Sequence, residues 1–451
     1  MKKYDAIIIG AGQAGTPLAR KLAKAGWRTA LVERRKIGGT CVNDGCTPTK
    51  TMIGAAREAY MAGRAQRFGI PSGLSQIDLR KVKARKDEIV DQAVDGLTKS
   101  VGSTKNLDYI GGQAVFSGMK TIEVNGETLQ ADNIFINTGA RPGIPDIEGL
   151  DTVPYLTSTT ILDLTETPKH LCILGAGYVA MEMGQMFRRF GAQVTLLEKN
   201  TRILGKEDED VAAEIHKIFE EDGITICCGA ELQKVSTSND QILLELNGRQ
   251  LTCSHLLIAA GRTPNTGDLG LDKTGLRTTG NGIIPVNEKL ETGVPGIYAM
   301  GDVKGGPAFT HISYNDYIII SKNILEQQQR TIRDRPVPYC MFTDPELGRI
   351  GLTEHEAREQ GKNVLVAKIP MTKVARGVES GDTRGLMKAV VDKDSGLILG
   401  AAILSVAGGE IMSVVQMAMM GGLRYDQLRD GVFAHPTFSE SLNNLFMSIE
   451  P

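Results

Sequence analysis

Apolar and polar positions alternate along this chain in an order that occurs twice. Ala6-Ile7-Ile8-Ile9 is an apolar run of strand length, followed by Gly10-Ala11-Gly12-Gln13-Ala14-Gly15 and then by apolar residues at helical spacing through Leu18, Leu22 and Ala23. A second strand-like run, Thr29-Ala30-Leu31-Val32, ends on Glu33. Strand, glycine turn, helix, strand and terminal acid is the order of a dinucleotide-binding unit. The glycines let backbone approach a pyrophosphate on the helix N-terminus, and an acid about 20 residues on accepts hydrogen bonds from ribose hydroxyls. The order returns at His170-Leu171-Cys172-Ile173-Leu174, Gly175-Ala176-Gly177-Tyr178-Val179-Ala180 and Val194-Thr195-Leu196-Leu197, which ends on Glu198. One such match is weak and two are specific, so two nucleotides are expected.

Between these units the pattern predicts a helix over about 47–65 and a polar, basic helix over about 78–101. Val115-Phe116 and Thr121-Ile122-Glu123-Val124 alternate, and Asn125-Gly126 before Thr128-Leu129 predicts a hairpin. Asn133-Ile134-Phe135-Ile136-Asn137 reads as a buried strand running into Thr138-Gly139-Ala140-Arg141-Pro142, a glycine turn at a strand's carboxyl end and hence a ligand edge. Pro142, Pro145 and Pro154 suggest a linker, and Leu256-Leu257-Ile258-Ala259-Ala260-Gly261-Arg262 echoes the earlier strand and turn. Gly296-Ile297-Tyr298-Ala299-Met300-Gly301-Asp302 is a strand ending in an acid, either an ordinary turn or a carboxylate that reaches a cofactor. From about Arg335 the composition changes to strands and a Met-rich helix, in which Met412, Val415, Met419 and Met420 are expected to pack into a core. The fold class is α/β: two Rossmann-like units and a C-terminal α+β domain with an apolar face for pairing.

Length and charge narrow the function. At 451 residues about three domains fit, and 51 basic against 53 acidic residues leave no nucleic-acid footprint. Seven cysteines are too few for a disulfide framework, and the odd number suits a reducing compartment. Met1-Lys2-Lys3 before an apolar run imitates a secretory signal, but Asp5 interrupts it and the run is too short. With no run of membrane-spanning length, a soluble cytoplasmic protein is expected.

Two of those cysteines lie in Gly38-Gly39-Thr40-Cys41-Val42-Asn43-Asp44-Gly45-Cys46-Thr47-Pro48-Thr49-Lys50. On a regular helix five rises of about 1.5 Å would separate their Cα atoms by over about 7 Å, too far for an unstrained bridge, so a disulfide needs an irregular turn. Gly45 supplies freedom, and Pro48 with Thr47 as cap would start a helix just after Cys46. A helix N-terminus favours a thiolate, which suits a reducible couple, although two core cysteines would satisfy the same spacing.

Together these pieces resemble the flavoprotein disulfide reductases, the family of glutathione reductase, dihydrolipoamide dehydrogenase and mercuric reductase. The likeness covers nearly the whole chain: both nucleotide motifs, Gly-Gly-Thr-Cys-x4-Cys-x-Pro-x-Lys, Gly261-Arg262-Thr263-Pro264-Asn265, Gly301-Asp302 and the closing His435-Pro436-Thr437-Phe438-Ser439-Glu440. The resemblance implies FAD on Gly10, Gly12, Gly15 and Glu33, closed over by Asp302, with Thr40, Ala114, Thr138, Gly139, Gly261 and Arg262 also lining the cofactor sites. Lys50 would lie near the flavin ring, paired to Glu182. NADH or NADPH would lie on Gly175, Gly177 and Ala180, with Tyr178 gating the nicotinamide pocket. The implied domains are 1–141 with 265–334 for FAD, 142–264 for the pyridine nucleotide and 335–451 for dimerisation.

The mechanism implied passes hydride to the flavin, then electrons to a Cys41–Cys46 bridge, with Cys46 nearer the flavin and Cys41 exchanging with substrate. His435 would supply and remove the proton, since imidazole titrates near neutral pH, and Glu440 would orient it. In the family this histidine comes from the second identical subunit. Glu198 favours NADH, while Lys199 and Arg202 nearby could accommodate the extra phosphate of NADPH. Full-length mercuric reductase adds an N-terminal metal-binding domain and a C-terminal cysteine pair; neither is in this sequence, and Cys227-Cys228 reads as packed cysteines, so mercury reduction is not expected. Asp44 and Thr47 replace apolar residues usual in dihydrolipoamide dehydrogenase, which stays an alternative. Asp382-Thr383-Arg384-Gly385 and Ser439-Glu440-Ser441-Leu442-Asn443-Asn444-Leu445-Phe446 show a closer likeness to bacterial mercuric-reductase-like flavoproteins of metal and oxidative stress. The expected acceptor is a small disulfide or a metal ion; a redox-sensing or carrier-docking flavoprotein with little turnover is the competing class.

Overall fold

The computed structural model describes residues 1–71, 77–333 and 335–449. The expected domain limit at 334 and the last two residues lie outside these. The chain forms two compact units, one of Met1–Met52, Arg80–Ile144 and Gly261–Arg335, the other of Ile53–Leu79, Pro145–Ala260 and Pro336–Pro451.

In the first unit the strands Leu107–Gly111, Thr29–Glu33, Lys2–Ile9 and Glu127–Ile136 lie side by side and parallel, and Ile297–Ala299 joins Glu127–Ile136 in parallel. Because side chains alternate across a strand, Ile7 and Ile9 pack on one face with Ile134 and Ile136, while Ile8 packs on the other with Leu18 and Leu22 of the helix Gly15–Lys24. The hairpin arm at Thr128-Leu129 and the buried strand expected after it are one strand, not two. From Leu129 to Ile136 it pairs with Lys2–Ile9, but its other edge changes neighbour midway: Glu127 to Gln130 run antiparallel to Thr121–Val124, and Ile134 to Ile136 run parallel to Ile297–Ala299. Part of the proline-rich stretch expected as linker is also ordered, since Ala140–Pro142 pairs antiparallel with Arg262–Pro264.

The second unit holds a parallel sheet ordered Thr225–Cys228, Gln193–Glu198, His170–Leu174, His255–Ile258, Leu156–Thr157, and the antiparallel strands Leu232–Ser238, Gln241–Leu246 and Arg249–Cys253. It also holds a five-stranded antiparallel sheet, Tyr339–Met341, Glu346–Gly351, Ile398–Ser405, Leu386–Asp392, Val364–Pro370, against which the helix Gly408–Met420 buries Ile411, Met412, Val415 and Ala418. Met420 departs from its expected core position and is 61% exposed, like Met417 at 65%. Met412, Val415 and Met419 follow one stripe at steps of three and four, and Met420, one residue further, is turned about 100° off it. Among the described residues no helix is long and apolar enough to cross a membrane.

Candidate active site

The first glycine turn is built by close backbone approach. Gly10 has φ +105, and a Cβ there would lie 2.3 Å from the Asn137 carbonyl oxygen; one on Gly15 would lie 2.0 Å from the Gly10 carbonyl oxygen. Asn137 ties this turn to the next strand: its Oδ1 accepts from the Gly15 N–H at 2.9 Å and its Nδ2 donates to the Met300 carbonyl at 2.9 Å. Glu33 closes the turn from the neighbouring strand, accepting from the N–H groups of Ala11 and Arg35 at 2.8 Å each. Glycine loop and acid are thus held together by the chain's own hydrogen bonds.

The cysteine stretch packs directly on this turn. The Gly38 N–H donates to the Ala11 carbonyl at 2.8 Å, and a Cβ on Gly39 would lie 2.8 Å from the Gly12 Cα. Cys41 sits in the short helix Gly39–Asn43, with Thr40, and Cys46 opens the helix Cys46–Arg64. The irregular turn expected between the cysteines is therefore Asp44-Gly45. The helix begins two residues earlier than the Pro48 start expected from sequence, because the Thr49 N–H already donates to the Gly45 carbonyl at 3.0 Å. Pro48 fits within the first turn, where its missing N–H would have had no helical partner. Cys46 is exposed and its Sγ lies 3.3 Å from Thr310 Oγ1. Both cysteines are free thiols. The Cys41 thiol is pushed far above the ordinary cysteine range, first by its hydrogen bond to Cys46 and then by burial, against the opposing pull of Thr310 and Lys50.

The remaining predicted groups of this unit cluster at strand ends. Thr138 Oγ1 donates to the Asn265 carbonyl at 2.8 Å, Asn265 returns its Nδ2 to the Thr138 carbonyl at 2.9 Å, and its N–H reaches the Gly139 carbonyl at 2.9 Å. Gly261, at φ +122, accepts from the Gly143 N–H at 2.9 Å. Arg262 donates to the Ala140 carbonyl at 2.7 Å and lies 3.5 Å from the Asp302 carboxylate, which burial pushes upward in pKa against that cation. Ala114 is buried in the core that holds Ile7 and Ile9.

In the second unit Gly175, at φ +109, again brings a would-be Cβ within 2.6 Å of a carbonyl, that of Ala259. Gly177 caps the helix Tyr178–Arg189, in which Ala180 and Glu182 are buried. Glu198 accepts from the Ala176 N–H at 3.1 Å through Oε2 and from Asn200 through Oε1, at 2.9 Å from the backbone and 2.6 Å from Nδ2. Glu182 Oε1 accepts from the Phe342 N–H at 2.9 Å. Near the C-terminus both carboxylate oxygens of Glu440 lie 2.9 Å from His435 Nδ1. The imidazole is 67% exposed.

Residues 4–316 match the family model of the pyridine nucleotide-disulphide oxidoreductases, and residues 337–446 match the dimerisation domain of the same proteins. The chain belongs to this family. It is 39% identical over its full length, and the full length of the relative, to the probable pyridine nucleotide-disulfide oxidoreductase RclA of Escherichia coli. It is 35% identical to a Staphylococcus aureus mercuric reductase, over 97% of this chain and 81% of that one, and 34% identical to a dihydrolipoyl dehydrogenase of Thermus scotoductus, over 98% and 96%. The structure described as a Cu(II) complex of the HOCl-induced flavoprotein disulfide reductase RclA superposes with a TM-score of 0.93 over the whole of both chains. The protein is accordingly an oxidoreductase that uses FAD and a pyridine nucleotide. Its first glycine turn fits FAD: the space that a Cβ would fill at Gly10 and Gly15 is backbone held for close approach, with Glu33 beside it.

Two participants were not singled out from sequence. From sequence Asn137 reads as a strand end, although its place just before Thr138-Gly139 is a usable signal. Thr310 is 264 residues from the cysteine it touches, and nothing in its local sequence marks it.

Proposed function

We propose that this chain is an NADH-dependent flavoprotein reductase that delivers electrons through the Cys41/Cys46 pair to a metal ion, with Cu(II) the first candidate. The observation that carries it is the dithiol itself: an exposed Cys46 at a helix N-terminus, in contact with Thr310, beside a Cys41 whose thiol is hydrogen-bonded to it and raised in pKa. Bound FAD would accept hydride from the nicotinamide and supply the two electrons that open the Cys41–Cys46 bridge. Gly10, Gly12, Gly15, Glu33, Thr40, Ala114, Thr138, Gly139, Asp302, Gly261 and Arg262 would hold that cofactor, and Lys50 would stand by its ring. Gly175, Gly177, Ala180 and Glu198 would hold the pyridine nucleotide, with Tyr178 at its gate.

The dithiol then returns two electrons. Two Cu(II) ions become two Cu(I), the disulfide re-forms between the Cys46 thiolate and Cys41, and the one proton, that of the Cys41 thiol, leaves to His435 of a second identical subunit. Support for that role is the Nδ1 pairing with Glu440, which fixes the ring and leaves Nε2 for a thiol, on an imidazole that its own subunit leaves largely open. The metal reading draws on the relative whose Cu(II) complex is known and on the mercuric reductases at similar identity. Anaerobic NADH oxidation with Cu(II) and a Cu(I)-specific chelator should give two Cu(I) per NADH. Turnover of lipoamide or another small disulfide without Cu(I) formation would overturn this choice of acceptor.

NADH is favoured over NADPH by the surroundings of Glu198. The nearby Arg202, which could otherwise neutralise a 2′-phosphate, spends its guanidinium on the carbonyls of Glu207 at 2.8 Å and Gly205 at 2.9 Å. The exposed Lys199 beside Glu198 would be left to offset its charge against a 2′-phosphate. In steady-state kinetics with both nucleotides, Glu198→Gln should narrow a wild-type preference for NADH by about tenfold, the equivalent of ~1.4 kcal/mol. An unchanged ratio would remove Glu198 from the choice.

A further inference from the structure

The helix Thr310–Glu326, whose first residue touches Cys46, carries a carboxylate that none of the steps above uses. Asp316 is 0% exposed. Its Oδ2 accepts from the Gly301 N–H at 2.8 Å and lies 3.3 Å from Lys304 Nζ, while its Oδ1 lies 2.5 Å from Arg335 Nη1. A carboxylate so buried is tolerated only when paired and hydrogen-bonded, and this one is both. Its partners bracket Asp302, the acid expected over FAD: Gly301 precedes it and Lys304 follows two residues on. Gly301 is held from its other side as well. It takes φ +73, and a Cβ there would meet Asn137 Nδ2 at 2.8 Å and Ser313 Oγ at 3.0 Å. Asn137 is the same residue that holds the Gly15 N–H of the first glycine turn. The backbone before Asp302 is thus clamped between Asp316 and the turn that receives the dinucleotide.

We propose that Asp316 is a positioning residue for FAD, acting through the Gly301 amide to set the Asp302 carboxylate. A purely structural ion pair would staple helix to loop and cost stability when broken, whatever residue 302 is. A positioning role requires Asp302 for its effect.

The two are separated by a double-mutant cycle of Asp316→Asn and Asp302→Asn, read as release of FAD from the diluted holoenzyme by the fluorescence of free flavin. Asp316→Asn should weaken retention about tenfold or more, as loss of a group that orients a ligating residue does. In the Asp302→Asn background the same change should add less than about twofold. Undiminished effects in that background, or unaltered FAD release in Asp316→Asn, would overturn the proposal. Asp316→Glu keeps a carboxylate for Lys304 and Arg335 but displaces the oxygen at Gly301; it is read in the same cycle, with the same expectation, should Asp316→Asn not fold.

Discussion

Cys46→Ser is expected to abolish electron delivery to any external acceptor, by at least about a thousandfold, while leaving FAD bound. The argument rests on which sulfur can be the thiolate. Cys41 is partly buried and its hydrogen bond to Cys46 raises its pKa, so the proposed thiolate of the reduced pair is Cys46, which opens a helix. That charge is stabilised by the first turn of Cys46–Arg64 and by Thr310 Oγ1 at 3.3 Å. A serine hydroxyl in the same place neither ionises near neutral pH nor forms a bridge with Cys41. Anaerobic reduction by NADH, followed in the long-wavelength flavin absorption, reads this directly. Wild type should develop the broad band of a thiolate beside oxidised flavin, and Cys46→Ser should bleach without it. Cys41→Ser should show the band before any reductant is added, because its Cys46 has no partner with which to oxidise. If Cys46→Ser keeps the band and Cys41→Ser lacks it, the two cysteines have exchanged roles. If both variants bleach like wild type, the pair is outside the electron path.

How far such groups can be read from sequence depends on how local their causes are. Glycine turns are legible because the need for glycine arises within a few residues: the Cβ that Gly15 lacks would strike Gly10. His435 and Glu440, singled out through the family resemblance, are five residues apart and in direct contact, so their pairing too is local. The cysteine stretch was legible in spacing but not in helix start, since a single Gly45 carbonyl taking the Thr49 N–H decides that Cys46 is helical. Thr310 and Asp316 escaped notice because their partners are brought near by the fold. Cys46 is 264 residues from Thr310, and the cations around Asp316 come from a loop before its helix and a segment after it. The strand Glu127–Ile136 was divided in two for a related reason, because its change of neighbour is a property of the sheet and leaves no mark in the alternation of its residues.

Gly15→Ala should cost the protein its flavin, and Gly177→Ala should not, although both glycines belong to the same kind of motif. At Gly15 the added methyl would sit 2.0 Å from the Gly10 carbonyl oxygen, 3.0 Å from Asn137 Oδ1 and 3.1 Å from Ile8 Cγ2. None of these can yield cheaply: Gly10 is itself pressed on the Asn137 backbone, Asn137 holds the Gly15 and Met300 backbones, and Ile8 is fully buried. Overpacking of this kind costs ~3 kcal/mol or more, and, taken from the geometry that receives the pyrophosphate, it amounts to over about a hundredfold in FAD affinity. At Gly177 no atom lies within 4 Å of the added methyl, and φ −80 is open to any residue. The second motif already carries Ala180 where the first has Gly15, a side chain its turn accommodates. Gly177→Ala should therefore melt like wild type and keep its full flavin-to-protein absorbance ratio, losing affinity only for the pyridine nucleotide, whose phosphates must approach that backbone. Loss of flavin from Gly177→Ala but not from Gly15→Ala would mean that the two nucleotides have been assigned to the wrong turns.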